Sequence, residues 1–305
     1  MSSTVIIANP VSGRRRAGLA QAPAEQVRAV VAGAQGACDL AYTKGPADAE
    51  RLVREYVTGE GGRVRRVIAC GGDGTIQQVA RALAELSPSL GADAPALGVI
   101  PAGRCNDLAR ALRIPLDVTL AARVLTAGRE AALDLAAVNG RTYCTVATMG
   151  FDAAVSRFVD RMRMPLKGTP AYLYGALRVL ARYHAPHMTL EGDFGRRQGR
   201  IFMISTANTS SYGGAIPIAP DARPDDGVLD ICIIEHRPLP EIVATLISAV
   251  RGRHAGRRGV ELLRTRELRI QTDRACELWA DGESIAEAPA TIRVLPAAIR
   301  VVLPE

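Results

Sequence analysis

Val67-Ile68-Ala69-Cys70-Gly71-Gly72-Asp73-Gly74-Thr75-Ile76-Gln77-Gln78-Val79-Ala80-Arg81-Ala82-Leu83 changes its hydrophobic period halfway along. Val67–Cys70 is a short unbroken apolar run, the pattern of a strand buried on both faces. Gly71-Gly72 ends it. Ile76, Val79, Ala80 and Leu83 then recur at three- and four-residue spacing, which marks one face of a helix. The same grammar appears on either side. Upstream, Val5–Ala8 is an apolar run closed by Asn9-Pro10, and Ala49, Leu52, Val53, Tyr56 and Val57 follow at helical spacing. Downstream, Leu97–Ile100 is closed by Pro101 and Gly103, Asn106–Leu112 is a short helix stopped before Pro115, and Asp117 caps a helix over Val118–Leu125. Strand and helix in alternation imply a parallel sheet with helices on both faces.

From about residue 135 the pattern changes to short period-two runs punctuated by Gly and Pro. Examples are Ile201–Ile204, Leu229–Cys232, Leu268–Gln271 and Cys276–Trp279. They predict an antiparallel β domain, interrupted by helices over Asp152–Met162 and Ala171–Tyr183. Ile292–Leu295 and Ile299–Leu303 read as closing strands. The expected division is an α/β domain over 1–134, a β domain over 135–289, and C-terminal strands over 290–305.

Composition narrows the function classes. The chain has 305 residues, with 48% hydrophobic and 23% charged, which suits two folded domains rather than a disordered chain. The formal charge is +7 and the pI about 9.4, almost all from arginine, since Lys44 and Lys167 are the only lysines. A basic balance suits an anionic partner. No basic stripe carries interleaved aromatics, so nucleic acid is not the expected partner. The six cysteines form no C-x-x-C pair, the N-terminus lacks a signal-peptide pattern, and no run reaches the roughly 20 apolar residues of a membrane span. The expectation is a reduced, cytoplasmic protein.

Three turns carry the candidate chemistry: Asn9-Pro10-Val11-Ser12-Gly13, Gly71–Thr75, and Pro101–Arg110. Each follows a parallel strand, so all three belong at the sheet's carboxyl edge, where such folds bind ligands. Small residues let backbone N–H groups approach an anion, and a helix N-terminus adds favourable partial charge. Asp73 is the informative member, because a carboxylate inside an anion cradle is repulsive unless it holds Mg²⁺ or a substrate proton. The plain alternative is a strand–turn–helix junction with Asp73 as cap, and Asn106 or Asp107 capping the next helix. No Walker A loop, protein-kinase motif set or nucleophile elbow is present. If phosphate binds here, charge neutralisation falls to Mg²⁺, backbone N–H groups and arginines such as Arg104 and Arg14–Arg16, the last three reading equally well as a solvated charge run after Gly13. Asp281-Gly282-Glu283 and Pro224–Asp230 are acidic turns that could be simple hairpin or cation-binding loops. His184 and His187 flank Ala185-Pro186 and read as surface or packing residues.

Taken together, these segments resemble the diacylglycerol kinase catalytic-domain family, which includes bacterial lipid kinases and sphingosine kinases. The ordered set is Asn9–Gly13, Thr43 before Ala47-Asp48-Ala49, Gly71–Thr75, Asn106–Arg110, Gly150–Ala153, Asn208, Tyr212-Gly213-Gly214, Pro220, Asp226–Asp230 and Asp281–Glu283. It spans nearly the whole chain. The resemblance implies an α/β nucleotide-binding domain followed by a β-sandwich domain, with the last strands returning to the first domain. It implies transfer of the γ-phosphate of ATP, with Mg²⁺, to the hydroxyl of a diacylglycerol-like or long-chain-base lipid. Nucleotide contacts would come from Asn9, Pro10, Ser12, Gly13, Thr43, Gly71, Gly72, Gly74, Thr75, Gln78, Arg104 and Asn106. Asp73 would belong to the Mg²⁺–phosphate network and Glu283 would be the general base. Asp226, with the carbonyls of Arg223 and Val228, would hold a structural Mg²⁺. A lipid acceptor would require transient contact with a membrane surface, at the inner face, and the pattern leaves a homodimer open. Two departures from the family stand out: Arg104 takes the place where a threonine is usual, with Cys105 after it, and Gln77-Gln78 replace Asn-Glu. A kinase of a soluble hydroxyl compound, NAD-kinase-like, and a non-catalytic nucleotide- or lipid-binding homologue remain alternatives.

Overall fold

The computed structural model describes residues 3–12, 23–59, 64–162 and 169–305. The chain divides into two compact units. The first comprises Met1–Leu135, Gly213–Ala215 and Pro296–Glu305; the second comprises Ala136–Tyr212 and Ile216–Leu295.

In the first unit β1 (Thr4–Ala8), α1 (Pro23–Gln35), β2 (Cys38–Tyr42), α2 (Asp48–Thr58), β3 (Arg66–Gly71), α3 (Asp73–Leu90), β4 (Ala96–Pro101), α4 (Asp107–Ala111) and α5 (Val118–Ala127) follow one another. The strands are parallel in the order β2-β1-β3-β4. Every residue of β1 and β4 is buried, which explains their unbroken apolar runs: both faces of the sheet are covered. Helices α1 and α5 pack together, as do α2 and α3. The buried faces are the ones the 3.6-residue period selects, such as Ala49, Leu52 and Val53 on α2. Asp117 caps α5 as expected, accepting from the N–H of Leu120 at 2.9 Å.

The second unit follows from β5 (Arg129–Val138), which begins in the first unit, and continues through β6 (Arg141–Tyr143), β7 (Val146–Gly150), α6 (Phe151–Arg161), α7 (Thr169–Leu180), β8 (His187–Gly192), β9 (Gly195–Ala207), β10 (Leu229–Glu235), α8 (Leu239–Val250), β11 (Val260–Thr265), β12 (Glu267–Thr272), β13 (Glu277–Ala280), β14 (Glu283–Glu287) and β15 (Ala290–Leu303). It is a β-sandwich whose corner is turned by β9. Residues up to Arg200 pair with β8, and residues from Ile201 pair with β7 and β10. Ile231 and Ile233 point into the core between the strands, while Cys232 and Ile234 join a second core with Phe151, Val155 and Ile242 of the helices. Burial on both faces is why Leu229–Ile234 is almost wholly apolar.

The C-terminal run differs from its expected form. It is one strand, β15, rather than two. Pro296 does not break it, because Ala297 adopts φ 48° and its N–H finds the Asp134 carboxylate at 2.7 Å. Its last residues return to the first unit, where Arg300 and Val301 lie parallel to Ala96 and Leu97 of β4.

Candidate active site

Register brings the three expected turns to one line. Ala8 is aligned with Tyr42 and Cys70, and Cys70 with Ile100. The residues that follow, Asn9, Thr43, Gly71 and Pro101, therefore leave the sheet along the same edge. Backbone bonds stitch the row: Asn9 N–H to Cys70 O at 3.0 Å, Thr43 N–H to Ala8 O at 2.9 Å, and Ala102 N–H to Gly71 O at 2.8 Å. Asn9 holds its own loop by accepting the Val11 N–H, and its amide donates to Thr75 Oγ1 at 3.3 Å. Pro10 is exposed and Ser12 half-buried, while Gly13 and Arg14–Arg16 lie outside the described residues.

The glycines of this edge have different reasons. A Cβ at Gly71 would stand 2.6 Å from Thr75 Cβ, and one at Gly103 would stand 2.5 Å from Gly72 Cα. Gly71 is thus demanded by the Thr75 side chain and Gly103 by close approach to the Gly72 backbone, while a Cβ at Gly72 would be tight, 3.3 Å from Gly103 Cα. Gly74 is not: a Cβ there meets nothing within 4 Å. It sits in the first turn of α3, where glycine costs about 1 kcal/mol relative to alanine. The protein gains no packing from it, and what it leaves is open space beside the N-terminus of an 18-residue helix. The first amide N–H groups of α3, at Asp73 and Gly74, have no acceptor within the helix. Nearby, Gln77 is buried with its Nε2 unpartnered among the described residues, and Gln78 is half-buried one position on.

The carboxylates depart from the helix-cap alternative. Asn106 is the N-cap of α4 in a left-handed conformation, with no side-chain cap bond; its amide braces Gly103 instead, accepting the N–H at 2.8 Å. Asp107 does not cap either. The two amides at the start of α4 are met by Asp73, whose Oδ2 accepts from Asn106 N–H at 2.8 Å and Oδ1 from Asp107 N–H at 2.6 Å. Asp107 in turn accepts from Gly213 and Gly214 N–H, both at 2.8 Å. Ligand atoms of Asp73, Asp107 and Cys105 lie within 4.8 Å of one another. Burial raises the Asp107 pKa above the ordinary carboxylate value; the Gly214 N–H opposes this, and the Asp73 charge adds to it. Cys105 is raised by burial and then by the charges of Asp107 and Asp73. Each carboxylate oxygen keeps a lone pair, so the donor set suits a hard divalent cation held by Asp73 and Asp107; a protonated thiol contributes little to it. Asp107 is the functional candidate that sequence reasoning missed. Its signal was the Asn106–Arg110 motif, where it reads as a cap. Arg104 is exposed on the same loop and forms no ion pair among the described residues.

In the second unit, Asp281 and Gly282 join β13 to β14 with φ 49° and 88°, the backbone of a type I′ hairpin turn. Asp281 is tied down by the N–H of Cys144 at 2.7 Å and of Thr145 at 3.1 Å, and by the Thr145 hydroxyl. This leaves Glu283 exposed at the start of a fixed strand. The Arg223–Val228 loop is engaged within itself and with Arg264 of β11. Arg223 pairs with Asp225, while the Asp226 carboxylate accepts from Arg264 at 2.8 Å and from Val228 N–H at 3.3 Å. A cavity of about 680 Å³ opens against α6 and the end of α7, walled by Ala153, Phe158, Met162, Val179 and Tyr183 and edged by Arg157, Arg161, Arg182, Arg274 and Glu277. Among the described residues no helix is long and apolar enough to cross a membrane.

Residues 3–138 match the diacylglycerol kinase catalytic domain family, and residues 145–303 the YegS C-terminal NAD kinase beta sandwich-like domain family. The chain is 34% identical over 294 residues to a "Probable lipid kinase YegS-like" protein of Pseudomonas fluorescens, covering 93% of each. It is 30% identical over 308 residues to a diacylglycerol kinase of Bacillus subtilis, covering all of this chain and 97% of that one. A crystal structure of a diacylglycerol kinase from Bacillus anthracis aligns over 98% of this chain and 96% of its own, with a TM-score of 0.74 at 20% identity, a likeness of fold.

Proposed function

Because the chain belongs to the diacylglycerol kinase catalytic-domain family, we propose that it transfers the γ-phosphate of ATP, with Mg²⁺, to the hydroxyl of a diacylglycerol-like or long-chain-base lipid. The observation that carries this reading is Gly74: a helix-start glycine that packing does not require, beside first-turn N–H groups that have no acceptor within the helix. Phosphate oxygens need that space and those donors.

The nucleotide lies against Asn9–Gly13, Thr43, Gly71–Thr75 and Gln78, with Arg104 adding the positive charge that a family threonine would not supply. Asn106 acts by shaping the Gly103 loop, to which its amide is bound. Asp73 and Asp107 would hold Mg²⁺, which would supply positive charge against the phosphate oxygens. A structural cation at Asp226 and the carbonyls of Arg223 and Val228 would require Arg264 to leave the Asp226 carboxylate. Glu283 accepts the acceptor's hydroxyl proton while its oxygen bonds to the γ-phosphorus and the bond to the β-phosphate oxygen breaks, leaving ADP. The second unit's cavity falls within the roughly 300–1,000 Å³ range of small-molecule sites, and its aliphatic and aromatic walls favour an apolar acceptor.

Labelled ATP incubated with diacylglycerols, long-chain bases and polyprenols tests the proposal; folded protein that labels none of them excludes it. NAD and sugars belong in the same panel, because the C-terminal family's likeness to NAD kinase favours a soluble acceptor as the second reading.

A further inference from the structure

α8 leaves a row of large apolar side chains outside. In its sequence, Leu-Pro-Glu-Ile-Val-Ala-Thr-Leu-Ile-Ser-Ala-Val, Glu241 is the one charged residue. Ile242, Thr245 and Ala249 form its buried face. On the opposite side Leu239, Val243, Ile247 and Val250 are 55%, 38%, 51% and 62% exposed. Their spacing of four, four and three residues makes a single row. A helix that is apolar all round belongs inside a protein or in an apolar medium, and here half of it has no protein cover. Single exposed apolar residues need no explanation, but a continuous row marks an interaction surface.

The charge around the row says what covers it. No acidic residue occurs from Ile242 to Val260, whereas Arg251, Arg253, Arg257 and Arg258 all lie there, and all four are exposed. None forms an ion pair among the described residues. The loop that carries them is fastened to α8: Ser248 Oγ donates to Arg253 O at 2.8 Å, Arg257 Nε donates to Thr245 Oγ1 at 3.4 Å, and buried His254 meets Ile218 O at 2.9 Å. The cations are therefore held at the C-terminal end of the apolar row. We propose that the outer face of α8, with its arginine rim, docks this protein on an anionic lipid surface, the side chains of the row entering the acyl boundary and the arginines meeting headgroup phosphates. A second copy of the chain fits less well. The row exposes on the order of a few hundred Å², well under the roughly 800 Å² per partner of a stable dimer. The inference rests on the lipid-acceptor reading for its purpose, but binding can be measured without turnover.

The test is co-sedimentation of the full chain with vesicles of phosphatidylcholine alone and of phosphatidylcholine mixed with phosphatidylglycerol. The wild type should pellet with the mixed vesicles and not with the neutral ones. Val243→Glu combined with Ile247→Glu should weaken that binding by at least about tenfold. Each Arg→Gln change in the rim should weaken it by roughly fivefold at low salt. Phosphorylation of a detergent-dispersed acceptor should be unchanged in all these variants. Ile247→Trp gives a second readout that does not depend on a charged substitution, because its emission should shift to the blue when mixed vesicles are added. Vesicle binding that survives the double substitution, or an unshifted tryptophan, overturns the proposal. So does light scattering that finds a dimer which Ile247→Glu divides. Lipid phosphorylation without vesicle binding removes the docking surface alone, and vesicle binding without phosphorylation removes the kinase reading alone.

Discussion

Gly74 and Glu283 make opposite kinds of prediction. A Cβ at Gly74 has room, and alanine is the better helix former, so Gly74→Ala should raise stability by up to about 1 kcal/mol in a thermal or urea melt. If phosphate occupies that space, the same variant should bind ATP at least about tenfold more weakly by calorimetry, corresponding to roughly 1.4 kcal/mol. A stabilised protein with unchanged ATP affinity would show that the space is not used. Glu283→Gln is nearly isosteric at an exposed position, so its melting curve should match the wild type. Turnover should fall by a factor of at least about 100, with ATP binding retained, if the side chain is the proton acceptor. An active Glu283→Gln enzyme would remove that assignment.

The start of α4 depends on a residue of another helix. Two of its amides are satisfied by Asp73, the first residue of α3. An unmet, partly buried N–H costs about 1–3 kcal/mol. Asp73→Ala should therefore lower stability by about 2 kcal/mol or more in a denaturant titration, and Asp73→Asn, which keeps one acceptor oxygen, by about half as much. Both should lose turnover. Equal stability of the two variants would mean that the carboxylate does not organise this turn. The short helix was legible from Asn106–Leu112 and its stop before Pro115, and the helix of Val118 from its Asp117 cap. The partner of α4 was not, because a local reading assigns caps to neighbours, whereas Asp73 lies 33 and 34 residues away. The expected break at Pro296 failed for the same kind of reason: Asp134, 163 residues away, receives the Ala297 N–H and keeps the strand whole.

The second unit is joined through a buried carboxylate, and its stability should report this. Asp152, in the first turn of α6, accepts from Thr148 Oγ1 at 2.8 Å, from the Tyr172 hydroxyl of α7, and from the Tyr212 hydroxyl. Burial raises its pKa above the ordinary 3.8, against the pull of those hydroxyls. The folded protein thus holds this proton more tightly than the unfolded chain does. As pH climbs from about 3.8 through the raised value, the folded state binds more protons than the unfolded state, and this group's contribution to stability falls. Urea midpoints measured across that window should decline more steeply in the wild type than in Asp152→Asn; parallel slopes would contradict the burial argument. Within the chain as a whole, the sequence alone determined what depends on near neighbours and on solvent exclusion. Apolar runs that must be buried on both faces specified the parallel sheet, helical period specified the covered faces, and the parallel order put three turns at one edge. The ordered motifs identified the family. Tertiary structure alone decided what each polar group does. Asp107 turns away from its own helix because its acceptors are needed by two glycine amides 106 and 107 residues further on. Asp73, one position inside α3 after the N-cap Gly72, meets the first amides of α4 instead of its own helix. Hydrophobic burial follows composition and period, which a single strand of text carries, whereas a hydrogen bond follows distance and direction, which exist only after the chain has folded.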